Sequence, residues 1–276
     1  MAVDSLAPGV VDPGLPASGR GGSRRRLDVA LGVVGEVLIT AGVLLGLFVV
    51  WQLFYTDVQS DRAQDAVLDS LEWVEPVVGV GQNTGTDDIT GELTVIPLIP
   101  EELKTYSPNG APVMAQPAHT ATFATLYVPR WGQDYIKPIS QGVTRRDVLD
   151  RLGIGHYPNT AMPGAVGNFA IAGHRTTYGK PFADVDLLQV GDSLVVQTEA
   201  TWYVYQVTSM DIVEPTYVQA IADNPLNPGS PATTAMITLT SCHPKFSAAQ
   251  RYIVHGELVY WAPTGHGFPS EIVESA

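Results

Sequence analysis

AMITLTSCHPKFSAAQRYIVHGELVYW, residues 235–261, is two runs of β-branched and aromatic residues separated by a short link that contains a proline. Such runs read as strands, and a link this short joins antiparallel neighbours. Cys242 then ends one strand and Arg251 begins the next, which puts both side chains at one mouth of the pair. Alternation along the first run sends Ile237 and Leu239 to one face, and Met236, Thr238, Thr240 and Cys242 to the less apolar one.

Outward from this pair, ATFATLYVP, DYIKPIS, NFAIAGH, DSLVVQT and WYVYQVTSMDIVEP read as further short strands, with helical pieces at TRRDVLDRL and FADVDLL. This density of strands within residues 119–262, without regular βαβ alternation, predicts a mostly β unit: an antiparallel closed barrel or a sandwich. Residues 263–276 are left as a C-terminal tail. An apolar content of 45% supports a real core.

Upstream, residues 29–55 (VALGVVGEVLITAGVLLGLFVVWQLFY) carry a single charge, Glu36, and predict a transmembrane helix ending in a Trp51 and Tyr55 belt. Arg20, Arg24, Arg25 and Arg26 precede it, whereas Asp57, Asp61 and Asp65 follow. The positive-inside rule therefore predicts a cytoplasmic N-terminus and an extracellular remainder. Residues 1–28, rich in Gly, Pro and Ser, read as a disordered cytoplasmic tail. Residues 56–118 read as an extracellular stem and linker. A helical pattern of Val58, Ala66, Leu68, Leu71 and Trp73 leads into GVGQNTGTDDITGE and then a proline-broken stretch.

A net charge of −13 argues against nucleic acid as a partner, because phosphates demand a basic face. The single cysteine excludes an intramolecular disulfide framework and a Cys-rich zinc site, and Cys242 and His243 are contiguous rather than spaced for a tetrahedral metal. No metal and no cofactor are expected. Cys242 is either a buried small hydrophobe or a reactive thiol, and outside the cell a lone thiol more often has a chemical use.

As a nucleophile, Cys242 would attack a carbonyl as the thiolate, with Arg251 supplying charge and hydrogen bonds but never taking a proton. Proton transfer to a leaving amine needs a histidine. His243 points away from its neighbour Cys242, and His255 lies inside the last strand, where it pairs with a neighbour. His119 and His266 lie at the borders of the barrel. His174, ending NFAIAGH, is the best-placed general acid, and His156, in the loop GIGHYPNTAMPG, is second.

TLTSCHP with Arg251, and GNFAIAGHRTTYGKPFADVDLL with His174, resemble the TLxTC, downstream Arg and AGH signatures of sortases, the membrane-anchored cysteine transpeptidases of Gram-positive bacteria. The similarity extends over residues 119–261 and includes HYPNTAMPG and VGDSLVV. It implies an eight-stranded sortase β-barrel with Cys242 as nucleophile, His174 as general acid and base, and Arg251 as oxyanion or substrate-positioning group. It also implies a substrate: a secreted protein with a C-terminal LPxTG-type sorting signal, cleaved after Thr through a thioacyl enzyme that an amine resolves.

The CHPKF and RYIVHG stretches are most similar to class E, the actinobacterial housekeeping group, which favours LAxTG and uses the amine of lipid II or peptidoglycan; class D is also similar. Pilus-forming class C enzymes carry an Asp-Pro-aromatic lid before the barrel, and the one Asp-Pro here is Asp12-Pro13, so no such lid is expected. Ser241 stands where many relatives have Thr. Thr240 shares a face with Cys242 and either contacts substrate or is an ordinary strand threonine. Tyr157 and Tyr178 flank the cleft and either select the residue after Leu in the signal or cap the barrel. A hydrolysing cysteine peptidase, a pilus-associated sortase and a non-catalytic anchored scaffold are the alternatives.

Overall fold

The computed structural model describes residues 21–74, 97–107 and 110–273; residues 1–20 of the tail expected over residues 1–28, and the linker from Gly79 to Glu92, lie outside the described residues. The chain divides into two units, residues 1–51 and 52–276. In the first unit lies the beginning of helix α1 (Gly21–Asp69), with one stretch, Asp28–Trp51, long and apolar enough to cross a membrane. Its 24 residues reach about 36 Å as a helix, beyond the ~30 Å of a bilayer core. Apolar side chains point outward all round it, and Ile39 is 69% exposed. The helix begins within the expected tail of residues 1–28, because Arg24, Arg25, Arg26 and Leu27 are good helix formers that extend a helix once the apolar stretch has nucleated it.

In the second unit, eight strands close into a barrel in the order β1-β2-β3-β4-β7-β8-β6-β5. They are β1 (Thr122–Tyr127), β2 (Ile136–Gln141), β3 (Ile154–His156), β4 (Gly167–Ala172), β5 (Ser193–Thr198), β6 (Thr201–Val213), β7 (Ala235–His243) and β8 (Gln250–Pro263). Of the two expected forms, the chain adopts the closed one. Two pairings, β2 with β3 and β4 with β7, are parallel, and the rest are antiparallel. Ile237 and Leu239 point into a core with Phe169, Ile171, Val196, Tyr205 and Val254, as their alternation predicts. The opposite face of β7 is covered too: Thr238 donates to Asn168 Oδ1 at 2.7 Å and pairs with His255 Nδ1 at 2.8 Å.

Three expectations need correction. The proline-broken stretch after residue 97 packs on the barrel: it bridges β8 at Thr105 and Trp261, and Met114 reaches the main core. Prolines end ladders without preventing burial. The C-terminal segment does not trail free as far as Val273, because Phe268 and Ile272 of helix α2 (Ser270–Val273) and the turn before it bury against Trp202 and Tyr260 in a second apolar cluster. His156 lies on β3, a three-residue strand too short to read from the sequence.

His156 is fully buried beside Phe123 and Phe169, and pairs with the Gln141 side-chain amide at 2.8 Å and the Ala161 carbonyl at 3.0 Å. Burial pushes its imidazole down to about 4, against the carbonyl's opposing pull. The depressed value favours the neutral form in the fold, so the stabilisation is complete above about pH 6.5 and is lost as the pH falls towards 4. That loss is roughly 3 kcal/mol. Thermal melts of the protein and of His156→Gln between pH 7 and 4 should differ in slope, the variant falling by several degrees less; parallel curves would refute this account.

Candidate active site

Two strand registers converge on one rim of the barrel. In the parallel pair β4 and β7, Ala172 lies opposite Thr240, and Gly173 N continues the ladder to Thr240 O at 3.2 Å. The next residue in step, His174, therefore emerges beside Cys242. In the antiparallel pair β7 and β8, Cys242 lies opposite Arg251. Neighbouring backbone is pinned from both sides: Ser241 Oγ donates to Gly173 O at 2.9 Å, and Thr240 Oγ1 donates to Ile171 O at 3.2 Å. Sheet hydrogen bonding thus fixes the spacing of the three side chains.

They share a cavity of about 560 Å³, lined by Tyr157, His174, Arg175, Thr240, Cys242 and Arg251 among others. Cys242 is half-buried and so reachable. Tyr157 Oη lies 3.0 Å from Thr240 Oγ1. Since that hydroxyl already donates to Ile171, the tyrosine O–H is the donor between them. Tyr178 is not among the lining residues; its ring packs on that of His174, with centroids 5.1 Å apart, from a left-handed backbone position at φ 56°.

His174 Nε2 lies 2.7 Å from Asp150 Oδ1, and both side chains are mostly buried. With that N–H donated to the carboxylate, Nδ1 is the ring nitrogen left to exchange a proton at the cavity. Asp150 was missed in the sequence, where it is one of several charges in TRRDVLDRLG and nothing in the spacing links it to a residue 24 positions later. Arg251 Nη1 donates to the carbonyls of Ala248 and Gln250, both at 2.9 Å, which holds the guanidinium at the cavity wall.

Arg175, also missed, is 3% exposed and ties the rim together. Its Nη1 donates to His243 Nδ1 at 2.8 Å and reaches the Cys242 carbonyl at 3.4 Å, while Nη2 pairs with Asp186 Oδ2 at 2.8 Å. Its guanidinium also lies over the Tyr252 ring. His243 is thereby engaged as an acceptor on the far side of Cys242, consistent with strand alternation. The candidate His156 is sealed in the core and does not reach the cavity. Among the described residues, no group of three or more His, Cys, Asp or Glu is placed to hold a metal ion.

A thiol, a carboxylate-held imidazole and a fixed guanidinium around one cleft suit acyl transfer through a thioester. The sortase domain model matches residues 126–259. Two curated relatives come from Streptomyces coelicolor. Sortase SrtE1 is 33% identical over 89% of this chain, which spans 62% of that protein's length; Sortase SrtE2 is 31% identical over 88% of this chain and 89% of its own. The solved SrtA sortase from Actinomyces oris is 42% identical, with a TM-score of 0.57 over 62% of this chain and 97% of that one. With this barrel, this rim and these similarities, the chain belongs to the sortase family, on its class E side.

Proposed function

We propose that this protein is a membrane-anchored transpeptidase of the cell wall, with residues 1–28 in the cytoplasm, residues 29–55 spanning the bilayer, and residues 56–118 and the barrel of residues 119–262 outside. The Cys242 thiolate attacks the carbonyl carbon of the Thr in a sorting signal, and Arg251 donates hydrogen bonds to the oxyanion that forms. As the C–N bond breaks, protonated His174 gives its proton to the departing amine, leaving a thioester on Cys242. An amine of the lipid-linked or polymerised wall precursor then attacks that thioester. The new C–N bond forms, the C–S electrons return to sulfur, and His174 recovers a proton from the incoming nitrogen.

The substrate is a secreted protein with an LAxTG or LPxTG signal, and class E membership favours LAxTG. Tyr157 contacts the residue after Leu in this reading, which its hydrogen bond to Thr240 at the cavity wall supports. The observation that supports the reading most is the double register, Ala172 with Thr240 and Cys242 with Arg251, which brings the three groups to one cleft. The test is to incubate the full chain with LAxTG and LPxTG peptides, with and without a diamine, and to weigh the products. A thioester adduct on Cys242, LAxTG yields several-fold above LPxTG, and an amide product with the diamine are expected. Equal yields would refute the Ala preference, and hydrolysis unaffected by amine would make the protein a peptidase.

A further inference from the structure

Beyond its apolar stretch, α1 presents Asp57, Ser60, Asp61 and Gln64 at the i, i+3, i+4, i+7 spacing of a single helix face. The residues around them include Gln59, Arg62 and Asp65, all exposed, yet Ser60 is 5% exposed and Gln64 is fully buried. A glutamine is costly to bury, so this face is held by specific partners rather than by apolar contact. Gln64 Nε2 donates to Tyr178 O at 3.2 Å, and Ser60 Oγ donates to Asp150 O at 3.0 Å. Asp57 accepts from Gly179 N at 3.3 Å and pairs with Lys180 Nζ at 3.1 Å, while Asp61 pairs with Lys137 at 3.2 Å.

The barrel is shaped for the glutamine. A Cβ at Gly153 would lie 2.9 Å from Gln64 Cδ, and one at Gly179 only 2.6 Å from Gln64 Nε2; both glycines have positive φ. The partners of Ser60 and Gln64 are the two residues that bracket the His174 imidazole: Asp150 holds its Nε2, and Tyr178 packs against its ring.

Resting on the sortase reading above, we propose that Ser60 and Gln64 are positioning residues for His174. They act by fixing the Asp150 and Tyr178 backbones, so that α1 is a working part of the catalytic unit as well as a stem. Proton transfer tolerates little misplacement of the imidazole, so loosening this face should lower turnover without altering peptide binding. Asp61 docks the same face by pairing with Lys137, and its carboxylate packs against Gly179; Asp61→Asn keeps that packing and weakens the ion pair alone, and so separates positioning from docking in general.

The experiment uses the full chain in detergent micelles, with the variants Ser60→Ala, Ser60→Thr, Gln64→Leu, the Ser60→Ala/Gln64→Leu pair, and Asp61→Asn. Turnover of a sorting-signal peptide, thermal melts and the ring 15N resonances of His174 are measured for each, the resonances being assigned by their loss in His174→Gln. The double variant should lose about tenfold in kcat with KM within twofold and should shift the His174 resonances. Ser60→Thr, which keeps the hydroxyl, and Asp61→Asn should stay within twofold. An unchanged kcat and unmoved resonances in a folded double variant would overturn the proposal, as would an equal loss in Asp61→Asn. Should the double variant not fold, the Ser60→Ala and Ser60→Thr pair decides by the same criteria. A wild-type chain inert to every sorting peptide would instead refute the proposed transfer from a sorting signal, and the resonances would still judge the positioning.

Discussion

Replacing Cys242 by Ala should abolish adduct formation and lower transfer by at least about a thousandfold, because no other thiol exists in the chain to carry the acyl group. The fold should survive. Cys242 is half-buried at the end of β7, beyond the last β4 partner, so losing its sulfur opens no core cavity of consequence. The melting temperature should therefore change by no more than about 2 °C. Mass spectrometry of the peptide-treated variant is the measurement. A surviving acyl adduct, or undiminished cleavage, would mean that another nucleophile does the chemistry. A variant that unfolds would assign Cys242 to packing.

Much of this site was legible because strand alternation and a short link act locally. The period of two separated Ile237 and Leu239 from Thr240 and Cys242, and the hairpin put Cys242 opposite Arg251 without knowledge of any other strand. His174 was legible as a residue leaving a strand, but its approach to Cys242 depends on β4 and β7 running parallel across a long separation, which no local pattern encodes. The same limit hid Asp150. Its link to His174 is made by the chain reversing through a helical turn and the three-residue strand β3.

The docking of the stem was not legible for a different reason. An apolar-moment reading of residues 56–75 looks for Val and Leu on one face, whereas this helix docks through Ser60, Gln64 and two carboxylates. Polar docking of this kind leaves no hydrophobic period to detect. The segment from residue 97 to Thr105 and the turn to Phe268 escaped notice similarly, since each contributes a residue or two to the second cluster without forming a strand of its own.

His174→Gln should lower kcat/KM for a sorting peptide by roughly 10² to 10⁴, the range of a lost general acid, because the scissile C–N bond cannot break until its nitrogen is protonated. Asp150→Asn should cost less, about tenfold to a hundredfold. The amide can hold the ring in place but cannot offset the charge of the imidazolium, and Asp150, at 20% side-chain exposure, is partly screened compared with a fully buried partner. The role can be separated from mere geometry by changing the leaving group. A thioester analogue of the signal departs without a proton, so Cys242 should be acylated by it at similar rates in His174→Gln and in the unaltered chain, whereas Cys242→Ala should remain inert. If amide and thioester substrates suffer equally in His174→Gln, the imidazole is not the proton donor to the departing nitrogen. Its pairing with Asp150 would then serve to shape the cleft, and the donor would have to be sought among the other groups lining it.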